Sequence, residues 1–363
     1  MTSTSPGRRR DRRVYLRSHP LLFALLAVAR RAPVLRLGRT VLVNGTEAYL
    51  QALTEVALDR SAAGTTGGNA RRLTGGDLLF DQEDVAHRRA RRELSHVFNS
   101  AGVARTRPLW ADVLRRRLAP LATGETIDLV DVAAELAGVA TVSLLGLNAD
   151  PHPVTAAARA AAAAAVRAEL PGPRGPGRER ATRAAVDRLA GVLAGATVDP
   201  ALASMIAVAA VNTTVAAIPR AVAWCADDRL WSHAADPELL PTLVAELLRV
   251  TAPSPVLPRA VAAPGEIGGC PVRSGDRLIL VARHAAYAHE MGPDPVAPMT
   301  PRISQLVFGA GTHSCPGAGL ARAQLADTLA ALAPYRPVVV SARADRRAAL
   351  PSWATLRLRA VSR

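Results

Sequence analysis

The feature that most constrains this chain is the apolar run Ala201–Ile218, opened by Asp199-Pro200. It carries Ser204, Asn212, Thr213 and Thr214, so it reads as a helix buried in protein and not as a bilayer span. A helix that is apolar on all sides has to be surrounded, and the rest of the chain must supply the cover. Pro219, near its C-terminal end at about Cys225, is expected to kink or terminate it, because proline lacks the N–H and clashes with the preceding turn.

The covering material is mostly helical. Aromatic residues are only 3%, so Ala, Leu and Val fill the interior, and Ala and Leu favour helix. Helical patterns occupy Leu21–Arg31, Thr46–Leu58, Glu83–Phe98, Leu109–Leu121, Val130–Leu147, Asp150–Glu169, Arg178–Leu193, Pro241–Val250 and Gly317–Leu332. Strand patterns are fewer. Val34–Leu37 and Thr40–Val43 flank Gly38 as a hairpin, Arg259–Val281 is β-rich, and Val338–Val340 with Thr355–Leu358 suggest a closing hairpin. Ser61–Gly76 and Pro171–Gly177 are loops. The fold class expected is mainly α with a minor β region. Residues 1–14, basic and polar, are expected to be a disordered tail, and residues 15–363 one domain.

With 363 residues, 49% hydrophobic and 21% charged, the composition is globular and not disordered. The formal net charge of +15 comes almost wholly from arginine. These arginines are scattered along helical segments, without a zinc-finger or RNA-stacking motif, so nucleic-acid binding is not expected. A solvated arginine surface, or a basic face for an acidic redox partner, fits better. Cys225, Cys270 and Cys315 have no CxxC spacing, which argues against a zinc site or a disulfide framework. With few cysteines and no signal peptide, a cytoplasmic protein without a membrane span is expected.

One loop carries the chemistry: Phe308-Gly309-Ala310-Gly311-Thr312-His313-Ser314-Cys315-Pro316-Gly317, directly before a predicted helix. Glycines let backbone approach a flat ligand closely, and a helix N-terminus just after Cys315 favours an anionic thiolate. For Cys225 and Cys270 an inert structural role is sufficient. The loop resembles the haem-binding loop of the cytochrome P450 family in its Phe, two Gly, His, Cys and Gly, and the resemblance continues through Ala318-Gly319-Leu320-Ala321-Arg322. It implies the cytochrome P450 fold, heme b as cofactor, and Cys315 as the iron ligand. A thiolate ligand pushes electron density onto iron. Phe308, Gly309, His313 and Gly317 would belong to the cofactor-binding set.

Other residues fall where that family would place them. Glu246 and Arg249, three apart on a helix, look like its Glu-x-x-Arg core pair, which alone would be a surface salt bridge worth little. Pro258-Arg259 is similar to the strand whose arginine binds a haem propionate, and an arginine fork suits a carboxylate. His87 and Arg91, at i and i+4, resemble the family's His-x-x-x-Arg propionate clamp. Ala209-Ala210-Val211-Asn212-Thr213-Thr214 resembles the oxygen-activation segment, with Thr213 in a position to hydrogen-bond bound oxygen and water. An ordinary alternative for Thr213 is a bond to a carbonyl one turn back.

Two departures stand out. Asn212 replaces the expected acid, and an amide can orient water but cannot donate a proton as a carboxylic acid does. The stretch Tyr287–Ser304 is short, and Arg302 is its only arginine for a Glu-Arg-Arg network. The resemblance implies a P450 monooxygenase or related oxidase. It would act on a small molecule, in keeping with secondary-metabolite chemistry, with electrons from a ferredoxin-type partner. The alternative it allows is a non-catalytic P450-like auxiliary protein that stabilises an enzyme such as a glycosyltransferase.

Overall fold

The computed structural model describes residues 5–65, 67–68, 91–92, 94–169 and 176–361. Two helices, α1 (Pro6–Ser18) and α2 (Pro20–Ala29), lead into strands β1 (Val34–Leu37) and β2 (Thr40–Val43), helix α3 (Thr46–Thr54) and a short strand β3 (Leu58–Asp59). Helix α4 (Ser100–Leu118), strand β4 (Thr126–Asp128) and helices α5 (Leu129–Leu144), α6 (Pro151–Glu169) and α7 (Pro176–Val192) follow. Then come the long helix α8 (Pro200–Asp227), α9 (Trp231–Ala235) and α10 (Leu240–Thr251). Strands β5 (Leu257–Val261), β6 (Gly265–Ile267), β7 (Cys270–Val272) and β8 (Arg277–Leu280) precede two single-turn helices, α11 (Ala282–Ala285) and α12 (Pro301–Ser304). Helix α13 (Ala318–Leu332) and strands β9 (Val338–Ala344) and β10 (Trp353–Arg359) end the order.

The expected class, mainly α with minor β, is what the structure has. One sheet runs β1-β2-β8-β5-β3, with β1 and β2 antiparallel in the register Val34↔Val43 through Leu37↔Thr40, and β2 parallel to β8. The predicted hairpins therefore sit where the alternation and Gly38 put them, and Gly38 has φ +59°. The second sheet, β4-β10-β9, includes the predicted closing hairpin. The second partners, β8 for β2 and β4 for β10, lie far away in sequence and could not be read from it.

Helix α8 is the axis of the larger core. Asp199 caps it by accepting from the amides of Ala201 and Leu202. At 1.5 Å per residue it is about 42 Å long, and it packs against α1, α5, α6, α10 and α13. It is the one described helix long and apolar enough to cross a membrane, and most of it is buried inside the protein. The helix continues through Pro219 to Asp227, against the expectation of a break there. Residues from Thr214 to Cys225 are all buried, so packing on every side holds the helix across the one bond that proline removes. Other boundaries also moved. The helix expected at Thr46–Leu58 ends at Thr54 and gives way to β3, and the one expected from Leu109 starts at Ser100, where Asn99 caps it.

The N-terminal tail requires a larger correction. Within the tail 1–14, expected to be disordered, residues from Pro6 onward belong to helix α1, with Ser5 as its N-cap and Pro6 at its first position. Burial of one acid explains this. Asp11 is 3% exposed, lies 2.6 Å from the Arg220 guanidinium and 3.1 Å from that of Arg283, and both arginines lie over the Tyr15 ring, at 4.5 and 3.9 Å from its centroid. Tyr15 donates its hydroxyl to the Thr251 carbonyl at 2.6 Å. The Gly7 amide bonds Asp228, and a Cβ on Gly7 would lie 2.5 Å from the Trp224 ring. Sequence reading saw a run of like charges. The decisive partners, Arg220 and Arg283, lie more than two hundred residues away.

Replacing Asp11 by Ala would leave two buried guanidiniums facing each other without their shared counter-ion. The expected loss of stability is about 3–5 kcal/mol, read as a lower denaturation midpoint, with Arg10→Ala, at a partly exposed pair, costing far less.

Candidate functional site

The site begins at a buried ion pair on α10. Arg249 is 0% exposed and Glu246 1%. Arg249 donates from Nε to Glu246 Oε1 at 2.8 Å and from Nη2 to Oε2 at 2.5 Å. Burial of such a pair is tolerable only when the remaining donors and acceptors are satisfied, and here they are. Arg249 also donates to the carbonyls of Ala286, Met291 and Gly292, while Glu246 accepts from the amides of Asp294 and Met299. One pair thus fixes the irregular strap 286–299, which leads through α12 into the cysteine loop.

The loop itself is tight. Gly309 has φ 77° and ψ −171°, a conformation open in practice only to glycine. The Cys315 amide donates to the Phe308 carbonyl at 2.8 Å, and the Ser314 amide to the Gly311 carbonyl at 3.1 Å. Arg91 donates from Nη1 to the Ser314 carbonyl at 2.7 Å, tying the end of the described stretch 91–92 to the residue before the cysteine. Helix α13 starts at Ala318, so Cys315 lies just before a helix N-terminus, as the sequence implied.

Cys315 is exposed to solvent, although neighbouring protein atoms still desolvate its sulfur. Burial pushes its thiol pKa up. The Gly317 amide and the charges of Arg91 and Arg322 oppose that shift without overcoming it. Arg322, on the first turns of α13, stacks its guanidinium 4.7 Å over the Phe308 ring. Gly317 keeps the sulfur's flank open: a Cβ there would lie 3.9 Å from Sγ and 3.7 Å from the Phe98 ring. The set can therefore hold a soft metal on sulfur, beside cationic and amide donors that favour the anionic form.

No family model matches the sequence. Among curated proteins, local matches include cytochrome P450 121 of Mycobacterium bovis, 37% identical over 90 residues, or 24% of this chain and 23% of that one. Steroid C26-monooxygenase of Mycobacterium tuberculosis is 36% identical over 92 residues, a quarter of each chain. Putative cytochrome P450 140 of Mycobacterium bovis is 30% identical over 164 residues, 43% of this chain and 37% of that one. The aligned parts span about a quarter of the length of the first two relatives. Likeness of fold covers almost everything. CYP175A1 of Thermus thermophilus superposes with a TM-score of 0.79 at 20% identity over 96% of both chains. CalO2 gives 0.75 at 22% identity over 95% of this chain and 97% of that one. The chain has the cytochrome P450 fold, and part of its sequence is similar to cytochrome P450 proteins.

Within this P450 fold, the other sequence-derived residues are dispersed. Arg259 lies on β5, largely enclosed, with Nη1 donating to the Pro258 carbonyl at 2.9 Å. Burial lowers its pKa and nearby Tyr49 raises it. The Tyr49 hydroxyl reaches the Leu306 carbonyl at 3.4 Å, which places this corner two residues before Phe308. His313 is half-buried in the cysteine loop. His87 lies outside the described residues, as do most of the loop 61–76 and the start of the helix expected at Glu83.

Thr213 donates to the Ala209 carbonyl at 2.7 Å, the ordinary bond one turn back. Asn212 donates to the carbonyls of Val208 at 2.7 Å and Ala158 at 3.3 Å, joining α8 to α6. The third arginine is not in the buried network: Arg302 pairs with Glu47 at the surface, and the amides of Asp294 and Met299 complete Glu246 instead. Sequence reasoning missed the stacking of Arg322 on Phe308, which depends on the loop folding back over α13. It also missed Thr214, buried and bonded to Gln324 of α13 at 3.3 Å.

Two outcomes are expected. In protein stripped of any metal, alkylation of Cys315 at neutral pH is slow and climbs only at a pH above that at which an ordinary free cysteine reacts, since the thiol is raised above its ordinary value. Arg322→Ala moves that rise to higher pH, with peptide mass mapping as the readout. Replacing Glu246 by Ala strands Arg249 and frees the strap, at a cost of about 3–5 kcal/mol in denaturant unfolding.

Proposed function

We propose that this chain is a haem-thiolate P450 that oxidises a small organic molecule with dioxygen, in the cytoplasm, using electrons from a ferredoxin-type donor. The observation that carries the reading is the loop Phe308–Gly317, with Cys315 presented just before helix α13 and the charges of Arg91 and Arg322 acting on its sulfur. The donor set fits heme b: one thiol for iron, a glycine flank for the macrocycle, and Arg91, Arg259, His313 and His87 for the two propionates. Arg91 spends one donor on Ser314 and has others left.

Bound there, haem would supply the activation of dioxygen. The chain's own residues would do the rest. Burial raises the Cys315 thiol, so deprotonation depends on the metal together with the Gly317 amide and the two arginines. Thr213 would hold water and deliver a proton after exchanging its bond to Ala209 for one toward the pocket. Asn212 would orient water but not supply the proton, which favours an oxidation that needs little acid catalysis. The basic surface suits an acidic electron donor. A secondary metabolite is the substrate class most in keeping with this reading.

The auxiliary reading keeps one specific support. Asn212 and Thr213 are both engaged with backbone carbonyls, and the segment Ala209–Thr214 carries no acid. The reduced protein, loaded with haem and exposed to carbon monoxide, is expected to absorb at about 450 nm through its thiolate ligand. Cys315→Ala should abolish that band. A protein that takes up no haem and co-purifies with a second enzyme would favour the auxiliary role.

A further inference from the structure

Helix α2 has the sequence Pro-Leu-Leu-Phe-Ala-Leu-Leu-Ala-Val-Ala, without one polar side chain. It lies on the surface all the same. Its buried stripe is Phe23, Leu26 and Ala29, of which Phe23 and Leu26 pack with Tyr15 and Val281. The opposite side is bare: Leu21 is 81% exposed, Leu25 69% and Val28 74%. A surface helix ordinarily carries polar residues outward, and a contiguous exposed apolar ridge marks an interaction site.

The surroundings decide its partner. Arg12, Arg13 and Arg17 precede the ridge and Arg30 and Arg31 follow it, all exposed, and none of them makes an ion pair among the described residues. The only acid in the first forty-six residues is Asp11, which is buried between Arg220 and Arg283. An apolar ridge set in unneutralised arginine matches an anionic lipid surface, which offers hydrocarbon beneath a layer of negative charge. Ten residues cannot span a bilayer. Asp11 also fixes α1 to the core, so the arginines are presented on a rigid element and not on a loose tail.

We propose that α1 and α2 form a peripheral docking face for anionic membranes, with α2 lying in the plane of the lipid headgroups. This face is independent of haem binding.

The test is co-sedimentation of the full chain with phosphatidylcholine vesicles, with and without phosphatidylglycerol. Binding is expected only to the phosphatidylglycerol vesicles and should fall with added salt. Leu21→Glu/Leu25→Glu/Val28→Glu should weaken it about tenfold or more, and Arg12→Glu/Arg13→Glu/Arg17→Glu similarly. Leu25→Gln/Val28→Gln serves if the triple glutamate variant does not fold, with circular dichroism as the check. Absence of binding to phosphatidylglycerol vesicles, or binding that the leucine variants leave unchanged, overturns the proposal. So does a wild-type dimer in sedimentation velocity that these variants dissociate, which would assign the ridge to a second copy of the chain.

Discussion

The buried pair Glu246–Arg249 is the interaction on which the rest of the site depends. Removing two charges from water costs several kcal/mol each, and the fold recovers this only by surrounding them with partners. Every available partner belongs to the strap 286–299, whose carbonyls and amides bond the pair on both sides. An irregular segment without helix or strand of its own is thereby given one path. The loop that presents Cys315 inherits its position from that path and closes on itself through the Cys315 amide and the Phe308 carbonyl.

A second buried charge organises the opposite end of the chain. Asp11 collects Arg220 from the long helix and Arg283 from the segment after β8, and Tyr15 caps both with its ring. Both centres follow one rule: a desolvated charge needs full pairing, so it recruits elements distant in sequence and fixes their geometry. The basic N-terminal segment becomes part of the core by this route, and its outward arginines are set in place beside the exposed leucines of α2.

Electrostatics at the cysteine are more finely balanced. Protein atoms around the sulfur favour the neutral thiol, while an amide and two guanidiniums favour the thiolate. Burial is the larger effect, so the thiol is raised above its ordinary value. The segment of α8 around Asn212 is set differently: Thr213 and Asn212 are held by carbonyl bonds within α8 and to α6.

Local pattern determined much of this protein. The glycine-rich cysteine loop, the i,i+3 spacing of Glu246 and Arg249, the hairpin about Gly38 and the long helix opened by Asp199-Pro200 are all written within a few residues of one another. Short-range geometry is enough to read them. Tertiary structure alone decided what long-range charge pairing and burial control. It made a helix of the basic N-terminus, carried α8 through Pro219, sent Arg302 to Glu47 at the surface and laid Arg322 across Phe308. In each case the deciding partner is remote in sequence, or the deciding force is packing from several sides at once, and neither leaves a local periodicity to read.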